Sequence, residues 1–281
     1  NLQESGCYYE ITPDESQKAL RNLWKEIEKF QTCDIVYCFG EERHPVTAAD
    51  CASFLTAQNG LPVQDEKGGF VLDEEAVTAY VQSLAEEYDG YGRTRQFHST
   101  RGDVVTIEGG TYGSKMDRKK ETAYLLEHLL DPGVHTGTPQ THIPIYEREA
   151  FCYGKNDIGD TYIEVDMTEQ KMYYYEKGAL KLETEIVTGN MRRRMGTPEG
   201  VNFVYNKQKN RVLRGPGYAS PVKFWMPVKG GIGIHDAGWR KEFGGDIYQT
   251  AGSHGCINTP KDKMEELFDC VQIGTPVVMF Y

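Results

Sequence analysis

Apolar residues recur at helical spacing through the first 130 positions and alternate through much of the last 120. Leu20, Leu23, Trp24, Ile27 and Phe30 fall on one stripe and predict a helix that buries that face. Thr12-Pro13-Asp14-Glu15 precedes it, with Thr12 as cap, Pro13 in the first turn and Glu15 closing a capping box. A short helix over 47–55 follows, capped by Thr47. Asp73 caps a third, whose stripe is Val77, Tyr80, Val81, Leu84 and Tyr88; Gly90-Tyr91-Gly92 ends it. Segments 95–99 and 104–108 read as a hairpin about Arg101-Gly102-Asp103, a triplet taken as a turn rather than an adhesion signal. A last helix over 117–130 stops at Asp131-Pro132-Gly133.

Residues 133–158 then read as a connector, with the turn-prone run Thr136-Gly137-Thr138-Pro139 and an extended Ile143-Pro144-Ile145-Tyr146 that its proline keeps stiff. Beyond it, strands are predicted over 162–166, 171–176, 180–188, 200–205, 233–235 and 275–281, with a short strand at Val228. Thr259-Pro260-Lys261-Asp262 opens one helix, with Met264, Leu267, Phe268 and Val271 on its apolar face. The segment 206–223, rich in Gly, Pro and Arg, is long for a plain connection and reads as a lid. The expected architecture is an α+β domain over 1–156, followed by a mostly-β, sandwich- or barrel-like domain over 157–281.

Charge supports that division. The net charge is −11, yet residues 159–281 hold 16 Lys+Arg against 15 Asp+Glu, and residues 1–158 hold the other 15 against 27. An acidic chain without a basic stripe argues against nucleic acid as a partner. No run of 18 apolar residues occurs, so nothing in the sequence reads as a membrane span. The seven cysteines include no CxxC pair, which argues against a structural zinc site. Cys33, Cys38 and Cys51 are read as free thiols, with disulfides as the alternative in an oxidising compartment.

The chemistry concentrates near the C-terminus. Ser253-His254-Gly255-Cys256-Ile257-Asn258 sets a thiol beside a glycine, and Gly231-Ile232-Gly233-Ile234-His235-Asp236 lies 21 residues upstream. A thiol needs a base or cation to react at neutral pH, so Cys256 is the candidate nucleophile and His235 its base. A helix start just after Cys256 would add positive potential favouring thiolate. Asp236 can orient the imidazole through its carbonyl or its carboxylate. The N–H groups of Gly255 and Cys256 are candidate oxyanion donors. His254 either flanks the thiol or holds the loop. Ser253 and Asn258 hold the loop or touch substrate. Tyr218, Trp225 and Trp239 are candidate walls of a donor site, and Arg240 a partner for Asp236 or a substrate carboxylate. The basic set Arg192-Arg193-Arg194, Lys207, Lys209, Arg211 and Arg214 is a solvated surface or, in part, a receiver of peptide carboxylates.

This histidine followed by Ser-His-Gly-Cys-x-Asn resembles the L,D-transpeptidase (YkuD-type) family. The likeness runs through Val187-Thr188-Gly189, Thr197-Pro198-Glu199-Gly200, Trp225-Met226-Pro227 and Gly274-Thr275-Pro276-Val277-Val278. Residues before about 150 more weakly resemble the peptidoglycan-binding-like domain of some Gram-positive members. The resemblance implies 3→3 cross-linking between peptidoglycan stem tetrapeptides through a Cys256 thioester, with release of D-Ala. It implies no cofactor, acylation by carbapenems, and a backbone carbonyl as the group that orients the histidine. It also implies work at the outer face of the cell envelope, with any membrane anchor in an N-terminal segment outside this chain. Rival readings are an L,D-carboxypeptidase, a cysteine peptidase or amidase, a wall-binding protein without activity, and an intracellular redox or metal protein.

Overall fold

A computed structural model describes residues 14–215 and 217–281. Thr12, Pro13, Cys7 and Pro216 lie outside the described residues. The chain forms two compact units, each made of two segments. The first unites the residues up to Ala85 with Asp117–Ile145, and the second unites Glu86–Met116 with Tyr146–Tyr281. The hairpin Arg95–His98/Val104–Ile107 belongs to the second unit.

In the first unit, the helix Glu15–Phe30 is capped by Asp14, whose carboxylate accepts from the Gln17 N–H while the Gln17 side chain accepts from the Asp14 N–H. It does not bury the expected stripe: Leu20 and Trp24 are 59% and 60% exposed, and only Phe30 is buried. Local pairs support the exposed turns, with Lys18 on Glu15 and the Trp24 indole donating to Glu28. The connector is not free chain either. Gln140–His142 adds in parallel to Ile35–Phe39, which also pairs with Glu42–Pro45. Buried Asp34 gathers Thr136 and Gly137 by accepting from both backbone N–H groups.

The second unit carries nine main strands: β1 (Tyr162–Asp166), β2 (Lys171–Glu176), β3 (Ala179–Glu185), β4 (Gly200–Phe203), β5 (Gln208–Gly215), β6 (Tyr218–Lys229), β7 (Ile232–Asp236), β8 (Ile257–Thr259) and β9 (Pro276–Phe280). They form two sheets, ordered β3-β2-β1-β9-β4 and β5-β6-β7-β8. The pairs β1·β9 and β7·β8 are parallel and the rest antiparallel. Ile163, Val165, Val277 and Met279 of one sheet meet Phe224, Met226, Ile234 and Ile257 of the other. The helix Lys261–Cys270 closes this core with Met264, Leu267 and Phe268. The period-2 alternation puts Val278 and Phe280 on the opposite face, where they pack with Phe97 and Ile107 of the hairpin. The expected helix face, with Val271 just beyond the helix, is buried as its spacing predicts.

The 206–223 segment is not a loop lid. It is most of the β5–β6 hairpin, paired from Gln208↔Trp225 to Gly215↔Tyr218. Gly215, Gly217 and Pro221 obscure the strand in the sequence. Asn210 interrupts the ladder at φ 54, a conformation that Asn tolerates better than most residues.

Candidate active site

The site is built on the β6–β7–β8 register. Trp225 pairs with His235 and His235 with Asn258, so these three stand in one row across the sheet. Their neighbours Met226, Ile234 and Ile257 point into the core, which fixes the row on the other face. Gly233 lets the strands approach: a Cβ there would strike the Met226 carbonyl, lie 2.7 Å from Pro227 Cα and 2.8 Å from the Trp225 ring.

His235 is buried, 4% exposed. Its Nδ1 lies 2.9 Å from the Asp236 carbonyl, so Nδ1 carries the proton and Nε2 the lone pair. The Asp236 carboxylate is engaged elsewhere, accepting from the Phe224 N–H at 2.7 Å. With the Asn258 amide oriented by its hydrogen-bond network, its nitrogen donates to His235 Nε2 at 3.1 Å. Its oxygen then accepts from Arg240 Nε at 2.7 Å and the guanidinium NH2 at 3.2 Å. Arg240 also donates to the Ala251 carbonyl. Arg240 therefore serves Asn258 and Ala251 and not the Asp236 carboxylate, the first of its two candidate partners from sequence. Burial chiefly lowers the His235 pKa, and the Arg240 charge lowers it further, against the pull of the Asp236 carbonyl.

Cys256 ends the turn ahead of β8. Burial raises its thiol pKa above the ordinary value, and a hydrogen bond from the Gly233 N–H only partly offsets this. The Sγ lies 3.8 Å from the Gly231 carbonyl. The following helix starts at Lys261, and its positive end does not reverse the direction. Both shifts favour a neutral thiol beside a neutral imidazole at rest.

The turn is held by its own polar atoms. Ser253 Oγ donates to the Cys256 carbonyl at 2.6 Å and accepts from the Gly255 N–H at 3.0 Å. That bond occupies one of the two N–H groups expected to serve an oxyanion. Gly255 sits at φ 111, a left-handed region suited to glycine. Thr197 Oγ1 donates to the Gly255 carbonyl and accepts from the Gly189 N–H. Buried Gln170 bonds Thr188 through both ends of its amide, and Thr188 O accepts from the Ser253 N–H. Thr197 and Gln170 were not singled out as site supports from sequence. Only Thr197 had a signal, as part of Thr197-Pro198-Glu199-Gly200.

His235 and Cys256 line one cleft of about 170 Å³, together with Ser253, His254, Trp239, Arg240 and Asn258. Trp239 is exposed, with its ring 5.8 Å from His235. Leu213 and Ser220 of the hairpin also line it, and neither was foreseen. A second cleft of about 730 Å³ also reaches Cys256 and is bordered by Trp225, Arg211 and Arg214. Lys207 and Lys209 do not line it and lie against Phe268. The Tyr218 side chain lies outside the described residues.

A thiol in the turn before β8 and a tautomerically fixed imidazole on β7, sharing a cleft on a β-sandwich, define this as a cysteine–histidine site of YkuD type. A family model of the L,D-transpeptidase catalytic domain matches residues 160–279, and one of a putative peptidoglycan-binding domain matches 56–133. The structure is similar to that of a cysteine-to-serine mutant of Enterococcus faecium L,D-transpeptidase. Identity is 36%, covering 92% of this chain and 100% of that one, with a TM-score of 0.78. It is similar to the Ldtfm–avibactam carbamoyl enzyme at 36% identity, covering 93% and 99%, with a TM-score of 0.79. The ertapenem-acylated catalytic domain of the E. faecium L,D-transpeptidase is 51% identical over 43% of this chain and 98% of that one, TM-score 0.40. No curated protein matches. The chain belongs to the L,D-transpeptidase family and joins a YkuD catalytic domain to a peptidoglycan-binding domain.

Proposed function

We propose that this chain forms 3→3 cross-links between peptidoglycan stems by acyl transfer through Cys256. The reading is carried by Cys256 and His235 lining one cleft while the Asp236 carbonyl fixes the imidazole tautomer. In the first half-reaction the Asn258 amide turns away from His235 Nε2, which then takes the thiol proton as sulfur attacks the carbonyl joining the third stem residue to D-Ala. The tetrahedral oxyanion is met by the Cys256 N–H, with Gly255 contributing if Ser253 releases its N–H. The intermediate collapses to a thioester, and His235 returns the proton to the leaving D-Ala amine. In the second half-reaction a side-chain amine on another stem attacks the thioester, His235 takes its proton, and the thiol is restored. No step calls for a cofactor.

Neutral ground states fit this course. The Asn258 N–H occupies the Nε2 lone pair at rest, so the amide releases that atom before proton transfer accompanies attack. Asn258 and Arg240 act as positioning residues for His235; Ser253 positions the thiol turn. Trp239, Trp225 and Tyr218 are assigned to substrate, and His254, which lines the same cleft as Cys256, to flanking the thiol. Carbapenems offer the same sulfur an activated carbonyl and are expected to acylate it. The division of labour is an accessory wall-binding role for the first unit and a catalytic role for 157–281 within the second, working at the outer face of the envelope. Among the described residues no helix is long and apolar enough to cross a membrane.

Product analysis with defined tetrapeptide stems tests the reading. Cross-linked dimers with one D-Ala released per link are expected. Release of D-Ala without dimers would make the enzyme an L,D-carboxypeptidase instead.

A further inference from the structure

Among the described residues that line the cleft at Cys256, Arg240 alone carries a permanent charge. Its side chain is only partly exposed, and burial lowers its pKa with no carboxylate beside it to offset the cost. Its hydrogen bonds go to two neutral oxygens: Nε and one terminal nitrogen reach Asn258, and the terminal guanidinium also donates to the Ala251 carbonyl. A desolvated charge is normally paired with an opposite one, and here the opposite one has to arrive with a ligand. The guanidinium edge formed by Nε and its terminal neighbour can grip a carboxylate with two parallel bonds. At rest the Asn258 oxygen occupies that edge, at 2.7 and 3.2 Å. The same contact orients the amide: with its oxygen on Arg240, its nitrogen is left to donate to His235 Nε2 at 3.1 Å. Arg240 therefore holds in place the amide that covers the base.

We propose that Arg240 receives the C-terminal carboxylate of the donor stem and in doing so releases Asn258 from His235. The inference rests on the reading of the site as one of acyl transfer from a stem that ends in D-Ala. A charge-assisted hydrogen bond is roughly twice as strong as a neutral one, so the carboxylate displaces the amide oxygen from the guanidinium edge. Freed from the arginine, Asn258 turns off Nε2, and the lone pair opens to the thiol proton. The Arg240 charge also lowers the His235 pKa. A carboxylate paired with it cancels that effect and makes the imidazole a stronger base as the substrate arrives. The base is uncovered only when the cleft already holds a stem with its carboxylate in place. The departing D-Ala takes the carboxylate with it, and Asn258 returns to Arg240.

The test compares acylation of the full chain by two tetrapeptide stems, one ending in D-Ala and one in D-alaninamide, read by mass spectrometry of the quenched enzyme. The D-Ala stem should acylate wild type faster at saturation by about 10–100-fold, the worth of a hydrogen bond to a charged group. Both stems should react alike in Arg240→Ala, with Arg240→Gln in its place if that variant melts lower. In Asn258→Ala the saturated rates should also become alike, while the D-Ala stem still half-saturates at the lower concentration. Equal reaction of the two stems with wild type, or a preference kept without the arginine, would overturn the carboxylate's place on Arg240. A preference in the saturated rate that survives Asn258→Ala would overturn the release of His235. Acylation by neither stem would remove the acyl-transfer reading itself, and this inference with it.

Discussion

The floor of the active site and the hairpin wall beside it are built on opposite plans. On the floor, β7 and β8 bury His235, Asp236 and Asn258, and each has named polar partners. The wall is β5 and the facing part of β6, where Asn210, Arg211, Val212 and Arg214 are exposed. Burial makes the floor costly to disturb and lowers the His235 pKa. The wall projects charge toward a larger cleft without burying it. The contrast assigns chemistry to the floor and substrate preference to the wall, and it can be broken at several points.

The largest effect is expected on the floor. His235→Ala removes the base and should lower the rate of D-Ala release by about 10²–10⁴-fold in steady-state assays with tetrapeptide stems. A loss under tenfold would move general-base catalysis to another group.

Asp236→Ala separates the carbonyl from the carboxylate. The backbone carbonyl that holds Nδ1 remains, but the buried Phe224 N–H loses its acceptor, a cost of about 1–3 kcal/mol. Denaturant melts should record that loss, while the folded variant keeps most of its turnover. A large fall in turnover at unchanged stability would give the carboxylate a catalytic part.

On the wall, Arg211→Ala combined with Arg214→Ala should raise KM for stems about tenfold, a change of ~1.4 kcal/mol, with kcat nearly held. Equal falls in kcat and kcat/KM would place these residues in the transition state and end the contrast.

The subtlest test is pH. The raised Cys256 pKa and the lowered His235 pKa predict a thiol at neutral pH. Alkylation of Cys256 by iodoacetamide should therefore climb with pH through an inflection above the ~8.5 of a free cysteine. A plateau reaching down to pH 6 would mean a preformed thiolate–imidazolium pair.

Much of the floor was legible in the chain because its signals are local. Cys256, its glycine and its serine are contiguous, and the glycines before His235 mark a close strand approach. The helix Lys261–Cys270 and strand β9 announced themselves by period. The wall was not legible as strand: Pro221 and the glycines around 216 mimic a loop, and only pairing across the hairpin reveals alternation. Arg240's place beside Asn258, instead of the Asp236 carboxylate that was one of its two candidate partners, depends on the return of β8 alongside β7. The helix Glu15–Phe30 shows the opposite failure, a strong stripe with little to bury it. The support from Gln170 and Thr197 is long-range, and single residues of those types carry no signal.

The account turns on the sulfur of Cys256 carrying the acyl group. Intact and peptide-level mass spectrometry after brief reaction with a tetrapeptide stem or with ertapenem reads this directly. The account predicts one adduct, on the peptide containing Cys256, absent in Cys256→Ala. An adduct on any other residue, or one that persists in Cys256→Ala, would contradict it.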